Sequence, residues 1–176
     1  IAFTGGMNIA DKYANAITWH DVHSRIEGSA ARRIQEEFYD RWRASGGTGQ
    51  LLPPCMDPGP GEYPVEVACN VPGLRREITN RYCAEIDRAT RSVHLENAYL
   101  LYDPILDRLM KQARAGVDVV AIIPSNEKND EHLIRDAFLW VQNDVVRSGV
   151  KLYKYRGRMC HGKVAIFDGR LATLGS

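Results

Sequence analysis

The second half of the chain alternates between short apolar segments and amphipathic ones, and this alternation constrains the fold more than any other feature. Residues 117–123 form a mostly apolar run, which is typical of a buried strand. On each side of this run, apolar residues recur every three or four positions, as they do on one face of a helix. Helices that alternate with strands predict an α/β protein built as a layered α/β/α sandwich.

Capping and turn residues set the boundaries of the predicted elements. Asp103 and Pro104 predict the start of a helix that Gly116 ends, and Asp130 predicts the start of another that Gly149 ends. Two earlier helices are predicted at 29–44 and 74–88. The predicted strands are 22–26, 65–69, 92–95, 117–123, 150–153, 163–167 and 171–174.

A segment rich in Gly and Pro separates the two parts of this pattern. Residues 45–64 read SGGTGQLLPPCMDPGPGEYP, a composition typical of a long connecting loop. We therefore predict three regions, with residues 1–45 ending a first half, 46–64 as a linker and 65–176 as a second half.

Composition and charge exclude several classes of protein. The chain is 44% hydrophobic and 26% charged, as is usual for a globular protein. Its formal net charge of +1 argues against a broad nucleic-acid interface, which needs a clustered basic face. Residues 151–163 hold five basic side chains and no acidic one, and most of these are expected to lie on a solvated strand edge.

The cysteines and the apolar runs indicate little about compartment or membrane insertion. The four cysteines, Cys55, Cys69, Cys83 and Cys160, show neither a CxxC pair nor zinc-ligand spacing, a pattern that favours reduced thiols. No run of eighteen apolar residues and no secretory signal peptide is visible.

The last sixteen residues, HGKVAIFDGRLATLGS, contain side chains suited to phosphate chemistry. On a strand, His161 and Lys163 would share one face, because alternate residues point the same way. The lysine supplies a fixed positive charge, and the histidine can act as a nucleophile or a proton carrier near neutral pH. Asp168 precedes Gly169, where a carboxylate commonly stabilises a turn, so we assign Asp168 a structural role.

This segment resembles the HxK-x4-D-x6-GS signature, the HKD motif, of the phospholipase D superfamily. Residues 3–13, FTGGMNIADKY, are similar to the tail of the family's first motif, and residues 19–42 to the segment after it in bacterial cardiolipin synthase-like members. ENAYL at 96–100 is similar to the strand end before the second motif. No HxK precedes residues 5–8, so the chain is expected to be a fragment with two phospholipase D-like halves, the first incomplete.

The resemblance implies phosphodiester cleavage or transfer on phospholipids through a phosphohistidine, with no metal and no other cofactor. One motif's histidine attacks phosphorus and the other's protonates the leaving alkoxide. His161 belongs to the second motif and is expected to be the acid/base, although an imidazole alone leaves the nucleophilic role open. Lys163 would neutralise phosphate oxygens, and Asn8 and Ser176 would donate hydrogen bonds to them.

Three further residues have supporting or local roles by the same resemblance. Asp21 is expected to orient a catalytic histidine, namely the one missing from the first motif. Glu96 lies at the carboxyl end of a strand, where the sites of α/β proteins gather. Gly6 replaces a serine often found in the first tail and leaves a backbone donor there. The remaining histidines, His20, His23, His94 and His132, are interpreted as core or surface residues.

Two alternatives remain open at the level of sequence. The first is a nuclease-type phosphodiesterase, and the second is a non-catalytic module that binds phosphate or lipid. The expected partners are a phospholipid substrate, a membrane surface, and either the missing N-terminal HKD segment or a second copy of the chain. We expect the complete protein to be bacterial and cytoplasmic or membrane-associated, and this chain alone to be inactive.

Overall fold

A computed structural model describes residues 1–14, 19–53, 59 and 61–176. The contacts between residues divide the chain into two compact units. The first consists of Ile1–Thr4 and Ser24–Thr79, and the second of Gly5–His23 and Asn80–Ser176. Helices and strands are mixed along the chain, so the predicted α/β class is confirmed.

The helices and strands are numbered in chain order. They are β1 (Ala2–Gly5), α1 (Asp11–Ala14), β2 (Trp19–His20), β3 (His23–Ile26), α2 (Ser29–Ala44), β4 (Asn70–Val71), β5 (Arg75–Arg76), α3 (Glu77–Arg88), β6 (Ser92–Asn97), α4 (Asp103–Arg114), β7 (Asp118–Pro124), α5 (His132–Arg147), β8 (Lys151–Tyr155), β9 (Met159–Cys160), β10 (Lys163–Phe167) and β11 (Leu171–Leu174).

The second unit is built around a five-stranded sheet in the order β11-β10-β6-β7-β8. Strands β6, β7 and β8 are parallel, whereas β10 is antiparallel to both β6 and β11. The parallel strands are connected by α4 and α5, which is the crossover that parallel pairing requires. Because they are parallel, β6, β7 and β8 end at the same edge of the sheet.

One face of this sheet carries the hydrophobic core. Alternate strand residues, among them Val93, Val119 and Phe167, are almost fully buried, and each such side chain contributes roughly 1.5–3 kcal/mol. The helices complete the same cluster with Ile86, Leu106, Leu109, Phe138 and Val145. On the opposite face, His94 and Ile166 are exposed.

The first unit contains α2 and the β4–β5 hairpin, which a partly buried ion pair connects. Arg75 donates to both carboxylate oxygens of Glu37, at 2.9 and 2.7 Å, and the Arg75 guanidinium holds the pKa of Glu37 below its usual range. Phe38 and Trp42 lie on α2. They are 60% and 45% exposed and stack on each other.

Two predicted boundaries in this region are wrong. Residues 65–69 do not form a strand; the strand is β4, at Asn70–Val71. The helix predicted from residue 74 begins at Glu77, because Arg75 and Arg76 pair as β5 with β4 instead of forming a first helical turn. Gly73, at φ +73°, makes the turn between these strands, and the Glu77 carboxylate accepts the Cys69 N–H at 2.9 Å.

The Gly- and Pro-rich segment has no regular structure where it is described. Between α2 and β4, none of residues 45–53, 59 and 61–69 belongs to a helix or strand. The remaining part of the predicted linker, residues 54–58 and 60 with Cys55, lies outside the described residues. The division at 1–45, 46–64 and 65–176 stays a prediction, because it concerns an internal duplication and not the contacts within this chain.

The other cysteines, Cys69, Cys83 and Cys160, are free thiols. Within the described ranges, no helix is long and apolar enough to cross a membrane.

Candidate active site

His161 lies in the two-residue connection between β9 and β10. Strand β9 pairs in parallel with β2, and the His161 N–H continues this pairing by donating to His20 O at 2.7 Å. Strand β10 begins at Lys163, opposite Asn97. The prediction that His161 and Lys163 share a strand face is therefore wrong. The two side chains nevertheless meet, because Lys163 Nζ lies 2.9 Å from each ring nitrogen of His161.

The residue between them must be small because of Glu96. A Cβ atom added to Gly162 would lie 2.2 Å from Glu96 Oε1. The Glu96 carboxylate is held in place from the other side, since it contacts His20 Nε2 at 3.2 Å and accepts from Cys160 Sγ at 3.2 Å. Glu96 therefore supports the backbone that carries His161 without contacting the His161 ring.

His161 as a whole residue is 8% exposed, and its imidazole is enclosed by an acid and by aromatic rings. Its Nδ1 lies 2.7 Å from Oδ2 of Asp21, whose side chain is only 3% exposed. The rings of Trp19, Tyr13 and Tyr99 surround it, with centroids 4.7, 5.9 and 5.9 Å from the imidazole. A carboxylate at Nδ1 fixes the orientation of the ring.

Asp21 thus contacts a different histidine from the one expected. The sequence assigned Asp21 to a missing first-motif histidine, whereas its carboxylate contacts His161. The backbone N–H of Gly6 was also expected to be an available donor. It is already engaged, because it donates to Val22 O at 3.0 Å. A Cβ atom at position 6 would lie 2.2 Å from Asp21 Oδ1, so a glycine there leaves room for the carboxylate.

Lys163 is held beside His161 in a partly buried position. Its Nζ donates to the His161 carbonyl at 2.6 Å. Partial burial lowers the pKa of Lys163, and the carboxylates of Asp21 and Asp130 oppose this shift. The ammonium is therefore less strongly hydrated than a surface lysine and is available to an anion at the imidazole.

Asn8 and Ser176 lie near this pair but do not contact it directly through their side chains. Asn8 Nδ2 donates to Tyr13 OH at 3.3 Å, and Tyr13 OH lies 3.4 Å from His161 Nδ1. Ser176 is exposed and follows Gly175, whose N–H donates to Lys163 O at 3.0 Å. Asn8 thus reaches His161 through Tyr13, whereas Ser176 is connected to Lys163 only through the backbone of its neighbour Gly175.

Asp168 lies at the opposite end of β10 from Lys163. Its carboxylate accepts the backbone N–H groups of Thr90, Arg91 and Ser92 at 2.8–3.2 Å, and these bonds lower the pKa of Asp168 far below its usual range. The aspartate of the HKD signature therefore ties the β10–β11 turn to the start of β6 and does not reach His161.

The sequence did not predict the aromatic rings around His161, nor the contacts that Asp130 and His20 make near it. Tyr99 donates to Asp130 Oδ1 at 2.8 Å, so Asp130 binds a tyrosine instead of capping α5, which begins at His132 without a side-chain cap. His20 was interpreted as a core or surface residue, but it contacts Glu96. The one indication in the sequence was that His20 and Tyr99 lie in the segments that resemble the family, residues 19–42 and 96–100.

As a whole, the arrangement can hold an anion and move a proton. An ammonium and a carboxylate-bound imidazole stand side by side, with hydrogen-bond donors around them. Over the part of the chain that the structure describes, no group of three or more His, Cys, Asp or Glu residues is placed to hold a metal ion.

Comparison with known families identifies the superfamily of the chain. A profile described as "Cardiolipin synthase, PLD-like domain" matches residues 82–176, more than half of the chain, and one described as "Phospholipase D" matches residues 3–60. The chain therefore belongs to the phospholipase D superfamily, as a member of its cardiolipin synthase-like group.

Individual relatives match along the full chain. A cardiolipin synthase from Geobacillus thermodenitrificans (strain NG80-2) is 30% identical over 186 residues, and one from Geobacillus sp. (strain WCH70) is 31% identical. Each match covers 100% of this chain and 37% of the relative, so the chain spans about 37% of the length of these proteins. A phospholipase D family member, Nuc from Salmonella typhimurium, aligns at 22% identity over 52% of this chain and 58% of that one, with a TM-score of 0.45.

Proposed function

We propose that this chain contributes one of two catalytic histidines to phosphodiester cleavage or transfer on a phospholipid, through a phosphohistidine intermediate. The observation that carries the proposal is the grouping of Asp21, His161 and Lys163. Nδ1 of the imidazole is bound by the carboxylate, and the ammonium lies 2.9 Å from the ring. An oriented imidazole can transfer a proton, and an ammonium beside it can neutralise the charge of a phosphate.

In the first step, a second histidine forms a bond to phosphorus and the bond from phosphorus to the headgroup oxygen breaks. That oxygen takes a proton from Nε2 of His161, so the headgroup leaves as an alcohol. In the second step, Nε2 takes a proton from water or from an acceptor alcohol, whose oxygen bonds to phosphorus. The phosphorus–nitrogen bond then breaks, and its electron pair returns to the second histidine.

The other residues support these steps. Asp21 stabilises the imidazolium that donates the first proton and that forms again in the second transfer, and Lys163 neutralises the non-bridging oxygens as negative charge develops. Asn8 and Ser176 add neutral hydrogen bonds to the same oxygens. The second histidine is proposed to come from a first HxK motif, either in the complete protein or in a second copy. The acceptor and the donor lipid would reach the site from a membrane surface.

Activity assays on the full-length protein test the proposal. Cleavage of a phosphatidyl ester should persist in the presence of a chelator, and His161→Ala should slow it by roughly two to four orders of magnitude. A matched control is His132→Ala, which changes an exposed histidine at the start of α5. After quenching without acid, radiolabelled phosphate should be trapped on a histidine of the wild-type protein.

Two results would defeat this mechanism, namely full activity in His161→Ala and strict dependence on a divalent ion. An oligonucleotide tested in parallel separates the nuclease alternative, because a faster rate on that substrate would reverse the assignment to phospholipids. Absence of both hydrolysis and transfer in a folded full-length protein would favour the non-catalytic module.

A further inference from the structure

A second concentration of charge lies at the carboxyl ends of β7 and β8. A shallow cavity of about 590 Å³ is formed there by the loop after β7 and the end of β8. Its lining residues are Ser125, Asn126, Glu127, Lys128, Lys154 and Arg156. Three of these side chains are cationic and one is a carboxylate, so the cavity is more positive than the chain as a whole, whose net charge is +1.

The loop that forms the cavity is fixed to β8 by hydrogen bonds. Ser125 N–H donates to Tyr155 O at 3.0 Å, and the Ser125 carbonyl accepts the N–H groups of Lys128 and Asn129 at 3.1 and 3.0 Å. Lys154 Nζ donates to Asn126 Oδ1 at 2.9 Å. Because this bond uses the amide oxygen of Asn126, the amide nitrogen remains as a donor beside the ammonium.

Neutral donors and the single carboxylate complete the lining. Ser125 is 3% exposed, and its Oγ makes no hydrogen bond of normal geometry with any residue that the structure describes. The pKa of the Glu127 carboxyl is lowered mainly by its own backbone N–H. The nearby Ser125 hydroxyl makes a smaller contribution in the same direction. The cavity thus combines a hydroxyl, an amide and three cations with one carboxylate.

The cavity and the candidate active site lie at the same edge of the sheet. Tyr155, which accepts the Ser125 N–H, stacks its ring on His20 with centroids 5.3 Å apart. His20 in turn contacts Glu96, and its backbone carbonyl accepts the His161 N–H. A molecule bound in the cavity would therefore be a neighbour of a lipid phosphate at His161 and Lys163.

We propose that this cavity binds the phosphate group of a second phospholipid, the one whose headgroup alcohol accepts the phosphatidyl group. This inference rests on the proposed function and adds a subsite for the acceptor. Lysine and arginine donors suit phosphate oxygens, arginine because its fork can engage two of them at once. The cavity volume is in the range of small-molecule sites, and it suits a phosphorylated glycerol.

Binding is tested first on the 176-residue chain. The Lys163→Gln variant weakens anion binding at His161, and in that background inorganic phosphate and glycerol 3-phosphate are titrated by NMR at low ionic strength. Adding Lys154→Gln and Arg156→Gln should weaken binding of both probes about tenfold. Adding Lys111→Gln and Arg147→Gln instead removes the same charge from exposed positions on α4 and α5 and should leave the affinity unchanged.

The full-length protein then separates a lipid acceptor from free phosphate. Lys154→Gln with Arg156→Gln should raise the KM for an acceptor phospholipid about tenfold and leave hydrolysis by water at the wild-type rate. Equal losses in hydrolysis and transfer would overturn the assignment of the cavity to the acceptor. Equal phosphate affinities in the cavity variant and the control variant would overturn the site itself. A protein that neither hydrolyses nor transfers a phosphatidyl ester would instead contradict the proposed function.

Discussion

The Asp21 carboxylate lies 2.7 Å from Nδ1 of His161, although the two residues are 140 positions apart in the chain. The Asp21 side chain is 3% exposed and that of His161 10%, so the contact is almost completely shielded from water. An ion pair or charge-assisted hydrogen bond in such surroundings is stronger than at a surface. Asp21 is therefore placed to control the orientation of the imidazole.

Replacing this carboxylate tests its part in the reaction. Asp21→Asn preserves shape but removes the charge that stabilises an imidazolium, so kcat of the full-length protein should fall by roughly two orders of magnitude. NMR of labelled histidine should show a changed tautomer population at His161. Asp11→Asn, at an exposed position in α1, serves as the control. Equal activity of the two variants would remove Asp21 from the mechanism.

Gly162 offers a test of the contact between Glu96 and the backbone beside His161. Gly162→Ala places a methyl group where Glu96 Oε1 lies, at 2.2 Å, so the carboxylate must move and lose its bonds to His20 and Cys160. We expect a loss of about 1–2 kcal/mol in the free energy of unfolding, measured in urea. Gly157→Ala is the control, because its new Cβ would meet only Tyr155 Cε1, at 3.7 Å.

Combining Gly162→Ala with Glu96→Ala identifies the origin of the loss in unfolding free energy. In a Glu96→Ala background, Gly162→Ala should cost much less than in the wild-type protein, because the clashing carboxylate is gone. Equal costs in the two backgrounds would show that the glycine is needed for another reason.

The position of Lys163 predicts the alkaline side of the pH profile. Burial lowers the pKa of Lys163, so the ammonium loses its proton below the usual pKa of a lysine and the rate should decline there as the pH rises. Lys163→Arg remains charged at every accessible pH and should remove this decline, although its fork fits the site less well. Lys151→Arg, which changes the partner of Asp118, should leave the profile unaltered. An unchanged decline in Lys163→Arg would assign it to another group.

Much of the second unit could be predicted because its elements have strong local patterns. Strands β10 and β11 begin and end where the sequence placed them, and α4 begins at Asp103, within one residue of its predicted start. The failures occur where tertiary contacts override local preference. Arg75 has the pattern of a helix start, but its pairing with Glu37 holds it in a hairpin.

The chemical groups of the candidate site could be predicted from the sequence, but the contacts between them could not. His161 and Lys163 are marked by their spacing, and this spacing requires no knowledge of the fold. The carboxylate partner of His161 comes from the other end of the chain, and the pairing of β2 with β9 brings it there. A pair of two-residue strands has no sequence pattern of its own, so the approach of Asp21 to His161 could not be inferred.

Asp168 allows a prediction about stability that is separate from activity. Its pKa is lowered by the backbone N–H groups of Ser92, Thr90 and Arg91, so the folded state favours the ionised carboxylate. This stabilisation is present above the ordinary pKa of aspartate, near ~3.9, and is lost as the pH falls through the lower value of the folded protein. Asp168→Asn should therefore lower Tm at pH 7, and the difference from wild type should shrink below about pH 4.

Asparagine is the appropriate replacement because Asp168 has a φ of 55°, a conformation that asparagine also adopts. The variant thus removes the charge without adding backbone strain. Asp107→Asn, at an exposed position in α4, is the matched control and should change Tm little at either pH. Because Asp168 lies at the far end of β10 from His161, kcat of the folded Asp168→Asn protein should equal that of wild type. A Tm difference of the same size at pH 3 and pH 7 would show that the carboxylate charge is not what stabilises this turn.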